Sequence, residues 1–324
     1  MMEQRYDKAQ GALLGLALGD ALGTTLEFQP KDSYAHLTDL VGGGPFRLAP
    51  GQWTDDTAMA LCLAQSLVET GRNDLADQMH RYLRWYRQGE NSCTGECFDI
   101  GTTVAQALNR FEADGNPMAG SDGEWSAGNG SLMRLAPVAL FHHGSDLATA
   151  LNAARLCSIT THAEPRAIAA CELMTYLLHR LLNAGTRPDK SALLFRPSPE
   201  LEAVRQDWHP EIQAIANGDY RDKARSEIFG TGYVVQSLEA ALWCFTHSDG
   251  FREGALLAAN LGDDADTTAA IFGQLAGTYY GRSALPNAWL DRLAWRERIE
   301  RLAVQLCDGP ARANESQPIM QHGA

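Results

Sequence analysis

The sequence predicts an all-α globular protein; two observations carry the helical class and a third the packed core. Nearly every ordered stretch of the 324 residues repeats its apolar positions with helical rather than strand period. There is no hairpin signal and no alternation of strand-like with helix-like runs. Hydrophobic residues make up 45% of the chain and charged residues 21%, an ordinary balance for a chain that builds a packed core.

The elements follow in order. Residues 4–23 are apolar nearly all round, which marks a buried helix, and Gly11, Gly15, Gly19 and Gly23 recur every fourth residue along it. Each glycine inside a helix costs about 1 kcal/mol relative to alanine, so four in register imply a neighbour packed close against that stripe. Asp55 to Thr70 reads as a second helix, stopped by Gly71. Asn73 or Asp74 caps a third, with Tyr82, Trp85 and Tyr86 on its buried side and its end near Gly89. Helical stretches follow at 102–113, 131–142 and 146–158. Glu164-Pro165 opens a long helix ending at Gly185, proline being tolerated where the N–H would be unpaired anyway. The remaining helices cover 199–216, 232–246, 251–260, 265–280 and 286–307. Two stretches read as loops: 113–130, rich in Gly, Asp, Asn and Ser, and 185–200, rich in proline and charge. The first is long, and such loops are usually functional or mobile. The expectation is a compact single-domain bundle of about a dozen helices over 1–308, with a flexible tail at 309–324.

Forty acidic residues against 27 basic ones leave a net charge of −13, which argues against nucleic acid or an anionic membrane as partner. Seven cysteines without a CxxC pair read as reduced thiols, and Cys93 and Cys97 lack the matching pair a zinc site needs. The N-terminus has no signal-peptide pattern, and the apolar run from Gly11 to Leu26 is broken by Asp20 and followed by Glu27. A cytoplasmic protein is expected.

Two acidic clusters carry the chemistry. Thr54-Asp55-Asp56-Thr57 stands where the second helix begins, and Asp263-Asp264-Ala265-Asp266-Thr267-Thr268 where a late one begins. Either cluster alone reads as helix capping. A helix needs one cap, however, and each cluster supplies two or three carboxylates with flanking hydroxyls, a costly arrangement without a cation. Gly273 and Gly277 let the late helix pack as closely as the first. Two buried helices that bring the clusters together would form an all-oxygen site suited to Mg²⁺ or Mn²⁺. Beside such a site Glu27, otherwise an ordinary surface carboxylate, becomes a candidate acid or base. Gly128-Asn129-Gly130-Ser131-Leu132-Met133-Arg134 introduces a helix, and its glycines and first N–H groups could hold an anion; a plain loop-to-helix turn is the alternative. His162 reads by default as a capping or core histidine and Tyr233 as a core aromatic.

Taken in order, these segments resemble the ADP-ribosylglycohydrolase family: GALLGLALGDALGTTLEF (11–28), WTDDTAMAL (53–61), FDIGTT (98–103), GNGSLMRLAPVAL (128–140), TTHAEP (160–165), GTGYVVQSLEAAL (230–242) and NLGDDADTTAAIFGQLAGTYYG (260–281). The resemblance implies an all-α fold around two Mg²⁺ or Mn²⁺ ions held by Thr54, Asp55, Asp56, Asp264, Asp266 and Thr267. It implies catalytic roles for Glu27, Asp99 and Asp55, with Asp263 outside the ligand set. It also implies that Gly128, Asn129, Gly130, Ser131 and Met133 hold the pyrophosphate and distal ribose, and that His162 and Tyr233 flank the adenosine half.

The activity implied is removal of ADP-ribose from a modified protein side chain, the bond at C1″ breaking through an oxocarbenium-like state with two carboxylates as acid and base. Asp99 within FDIG resembles arginine-specific members, so ADP-ribosyl-arginine is the expected substrate, with O-linked serine or acetyl linkages as the alternative. A second alternative is a protein that binds ADP-ribose or neutralises an ADP-ribosyltransferase, its partner then being that enzyme; the filled ligand positions favour catalysis. A helical metal-dependent phosphohydrolase is disfavoured, because no histidine adjoins either acidic cluster.

Overall fold

The glycine stripe of the first helix sets the architecture. In the computed structural model, which describes residues 2–309, α1 (Met2–Gly23) packs antiparallel against α13 (Ala265–Tyr280) from Gly11 to Gly23. A methyl group at Gly19 would run into the Ala269 carbonyl oxygen, and one at Gly15 into that of Gly273. Gly273 and Gly277 answer from the other side, facing the Gly15 and Gly11 carbonyls. The two backbones therefore touch, and the close approach offsets the intrinsic cost of glycine in a helix. Because the helices are antiparallel, the C-terminal end of α1 arrives at the N-terminal end of α13.

The remaining helices wrap this pair. They are α2 (Asp55–Thr70), α3 (Leu75–Gln88), α4 (Thr102–Asp114), α5 (Ala136–Phe141), α6 (Leu147–Ile159) and α7 (Pro165–Asn183) in the first half of the chain. The second half adds α8 (Lys190–Phe195), α9 (Pro199–Val204), α10 (Pro210–Asn217), α11 (Val234–Thr246), α12 (Phe251–Ala259), α14 (Asn287–Leu290) and α15 (Arg296–Asp308). One hydrophobic core runs through them, and the described residues contain isolated β-bridges but no strand. No helix among them is long and apolar enough to cross a membrane, and all seven cysteines are free thiols. Apart from Gly309, the tail expected at 309–324 lies outside the described residues.

Several helices are interrupted where the periodicity reads continuously. The stretch 199–216 breaks before Pro210, which has no N–H to give, and His209 opens the next helix in extended backbone. The stretch 286–307 breaks at Trp295, whose φ of 57° is left-handed, while Ala294 donates its N–H to the Gly51 carbonyl at 2.9 Å. Residues 131–135 form turns rather than the start of a helix. There the Gln274 side chain donates to the Leu132 and Met133 carbonyls (3.1 and 2.8 Å) and accepts from the Ala136 N–H at 2.7 Å, occupying groups a helix would pair internally. Conversely, the stretch read as a loop at 185–200 contains α8, capped by Asp189.

Candidate active site

Three helix ends converge on one point: the C-terminal end of α1 and the N-terminal ends of α2 and α13. Asp20, from α1, accepts the Thr54 N–H (2.8 Å) and hydroxyl (2.9 Å) through one oxygen, and the Thr57 N–H (3.0 Å) and hydroxyl (2.6 Å) through the other. It caps α2 from outside. Thr54 and Asp264 stand at the N-cap positions of α2 and α13, yet neither side chain makes the capping bond to a backbone N–H of its own helix. The acidic clusters are therefore not spent on capping.

They point at one another instead. The Thr54 hydroxyl lies 3.2 Å from both Asp56 Oδ2 and Asp266 Oδ2, and the Thr267 hydroxyl 3.4 Å from Asp56 Oδ2. The one hydroxyl proton of Thr54 cannot serve three carboxylates at once. Oxygens of Asp20, Asp56 and Asp266 all lie within 4.8 Å of one another, as do those of Glu27, Asp99 and Asp266. Asp56 Oδ1 is buried with no hydrogen-bond partner. No lysine or arginine among the described residues pairs with any of these groups. Buried carboxylates with an orphaned oxygen and no cationic side chain fit a hard divalent cation held by oxygen ligands.

Above the cluster opens a cavity of about 620 Å³, within the range of small-molecule sites. Of the residues singled out in the sequence, Glu27, Asp55, Asp99, Gly128, Asn129, Gly130, Met133, His162, Asp264 and Thr267 line it. Thr54, Asp56 and Asp266 are buried and off the cavity wall. Ser131 is buried against the Ser158 hydroxyl at 2.9 Å. Tyr233 does not line the cavity, although its neighbours Thr231 and Gly232 do; its hydroxyl donates to Glu211 (2.6 Å) and accepts from Arg166 (3.0 Å).

The long loop ending at Gly130 is pinned on two sides. Gly120 donates to the Ile159 carbonyl (2.9 Å) and Ala163 to that of Ser121 (3.0 Å); Asn129 donates to the Gly232 carbonyl (3.1 Å) and Val234 to that of Ala127 (3.0 Å). The Asn129 side chain then donates to Asp264 Oδ2 at 2.7 Å, tying this loop to the acidic cluster. Gly130 is required by close approach, since a Cβ there would meet the His162 ring at 2.9 Å. No helix N-terminus faces an anion here: the Leu132 and Met133 N–H groups bond back to the Asn129 carbonyl.

Burial dominates the electrostatics. It pushes the Glu27 carboxyl up to about 10, with the nearby Asp99 charge adding to the effect, and Asp99 itself up to about 7. Asp55, Asp56 and Asp266 are raised well above the ordinary range, again by burial first and then by neighbouring carboxylates, led by Asp99, Asp20 and Glu27 respectively. His162 is pushed down to about 3 by burial and by Arg134, so its ring is neutral at pH 7. Arg134 donates to the Thr161 hydroxyl at 2.7 Å, and that hydroxyl meets His162 Nδ1 at 2.8 Å.

Sequence reading passed over three residues that the site depends on. Asp20 entered only as an interruption of an apolar run, yet a carboxylate inside a helix buried all round was itself the signal. Arg134 is buried, bonded to Tyr82, Thr160, Thr161 and the Gly130 carbonyl, with no carboxylate partner among the described residues. Gln274 offered only its place in an apolar helix. Phe28, Asp99 and Asp263, all lining the cavity, have φ of 61°, 57° and 53°, and no local pattern announces left-handed backbone at a bulky residue.

Comparison with known proteins follows the same lines. A family model described as ADP-ribosylglycohydrolase matches residues 1–315. Curated relatives include an ADP-ribosylarginine hydrolase Tri1 of Pseudomonas putida (strain GB-1), 45% identical over 98% of this chain and 82% of its own length. A protein of the same name from Serratia proteamaculans (strain 568) is 46% identical over 94% of this chain and 80% of its own. An ADP-ribosyl-[dinitrogen reductase] glycohydrolase of Rhodospirillum rubrum is 34% identical over 89% and 90%. A solved chain titled ADP-ribosylglycohydrolase-related protein complex superposes with a TM-score of 0.82 at 43% identity, covering 94% of this chain and 99% of that one.

Proposed function

The chain belongs to the ADP-ribosylglycohydrolase family, and from that premise we propose that it hydrolyses the N-glycosidic bond between ADP-ribose and the arginine side chains of modified proteins. The observation that carries the reading is the Glu27–Asp99 pair, two carboxylates on the cavity wall directly over the all-oxygen cluster. The names of the two relatives at 45% and 46% identity support arginine as the linkage.

Thr54, Asp55, Asp56, Asp264, Asp266 and Thr267 would hold two divalent cations, Mg²⁺ or Mn²⁺, which when bound supply Lewis acidity toward ribose hydroxyls and water. The chain's own groups handle the protons. In the metal-free protein, burial raises both carboxyls of the Glu27–Asp99 pair and so favours a shared proton, the kind a departing guanidine nitrogen needs. The partner left ionised takes a proton from the attacking water, completing the acid–base division of glycoside hydrolysis. Gly128, Asn129 and Gly130 give the pyrophosphate a backbone surface without side-chain obstruction. Asn129 couples that surface to Asp264, so the gripped phosphates and the reacting ribose share one frame. Neutral His162 packs against the same glycines and adds no charge.

The test is incubation of the purified protein with Mg²⁺ and peptides carrying ADP-ribose on arginine or on serine. Free ADP-ribose released from the arginine peptide is the expected product. Release from the serine peptide alone, or appearance of AMP or phosphate, overturns the reading.

A further inference from the structure

We propose that Phe28, which lines the cavity and is backed by Phe46 and Phe98, presents an aromatic shelf that receives the guanidinium of the linked arginine and so selects that linkage; this rests on the activity proposed above. Phe28 directly follows Glu27 and Phe98 directly precedes Asp99, so two short segments carry both cavity carboxylates and two of the rings. Phe46 joins them. Its ring lies 6.4 Å from Phe28, edge to face at 72°, and 5.1 Å from Phe98, tilted at 55°. Phe28 lines the cavity, yet 65% of it is exposed, an unusual cost for a phenyl ring beside a polar site.

That exposure is enforced. Phe28 has φ of 61°, a region bulky residues rarely enter. Two reciprocal backbone bonds hold it there, the Phe28 N–H to the Asp263 carbonyl (2.7 Å) and the Asp263 N–H to the Gln29 carbonyl (2.8 Å). Strain retained at a cavity wall points to a ligand that uses the side chain. Some aromatic rings among the described residues are covered by the protein's own cations, as Arg166 covers Tyr233 and Arg134 covers Tyr82. The three shelf rings carry none.

A ligand group fitting this wall is planar, weakly hydrated and cationic, able to meet carboxylates along its edge and rings on its face. A guanidinium has all of these properties. A serine oxygen has neither the charge nor the plane, and an acetyl ester, though planar, has no charge, so the cation–π contact contributes to the arginine linkage and not to the others.

Steady-state kinetics with Mg²⁺ on the two peptides, together with calorimetric binding of free ADP-ribose, test this for Phe28→Ala, Phe28→Leu and Phe28→Trp. Phe28→Ala and Phe28→Leu should raise KM for the arginine peptide about five- to tenfold, the scale of a lost cation–π contact, while kcat and the ADP-ribose Kd stay within about twofold. Phe28→Trp should restore KM, whereas a purely structural role would not distinguish leucine from tryptophan. Unchanged KM in Phe28→Ala, or an equal loss of ADP-ribose affinity, overturns the shelf alone. Wild-type protein that cleaves only the serine peptide overturns the linkage reading and the shelf with it.

Discussion

The Asp20 carboxylate, carried by α1, accepts both the N–H and the hydroxyl of Thr57 in the first turn of α2, at 3.0 and 2.6 Å. One helix thus caps another. The bond fixes the start of α2, and with it Asp55 and Asp56, against the end of α1, which the glycine stripe has already fixed against α13. The acidic cluster inherits its geometry from that chain of contacts.

Asp20→Ala removes the acceptor of four buried donors. The loss should be about 2–4 kcal/mol, more than an ordinary cap because the donors are desolvated. Urea denaturation of the metal-free protein measures it. A loss under about 1 kcal/mol would mean that the Thr54 and Thr57 groups find other partners.

Metal removal should lower the melting temperature. A ligand that binds only the folded state stabilises it by RT ln(1 + [L]/Kd), and the metal-free protein retains the repulsion among its clustered acids. Added Mg²⁺ or Mn²⁺ should restore the wild-type melt. Asp266→Asn, which removes charge but keeps shape, should abolish most activity and most of the metal-dependent rise. A melt indifferent to EDTA, together with full activity, would leave the cluster without a metal role.

The metal-free protein should melt higher at pH 5 than at pH 8. Asp20, Asp99 and Glu27 are raised in the folded state to about 6, 7 and 10, chiefly by burial, from ordinary values near 4. A raised carboxyl costs stability only where the unfolded chain would be ionised. Stability is therefore intact below about pH 4 and declines as pH climbs toward the folded values. Asp39, held down at about 2 by its bonds from Trp289 and Arg292, works in the opposite sense only below about pH 4; buried His162, pushed down to about 3, opposes inside the window because the unfolded imidazole gains a proton there that the folded one does not, and the several raised carboxyls outweigh it. Saturating Mg²⁺ should shrink or reverse the difference, because metal favours the ionised ligands. Differential scanning fluorimetry across pH 5–8, with EDTA and with Mg²⁺, checks both signs.

Much of this protein is written locally. A helix needs only its own apolar period and its terminators, so α2, α3, α12 and α13 fall within a residue or two of their sequence reading. Two of the readings that failed did so where a distant group intervened: Gln274 taking the carbonyls of residues 132 and 133, and Gly51 taking the N–H of Ala294.

The sequence by itself determined the helical class, the close face of α1 and the presence of two hydroxyl-flanked acidic clusters, because each is a repeat or a grouping within a few residues. Tertiary structure alone decided that Asp20 would cap a helix beginning 35 positions later, that Asn129 would reach Asp264 across 135 residues, and that Phe28, on the cavity wall, would pack against Phe46. It alone decided the protonation of Glu27 and Asp99. Desolvation and Coulomb energy depend on distances through space, and the order of residues along the chain does not contain those distances.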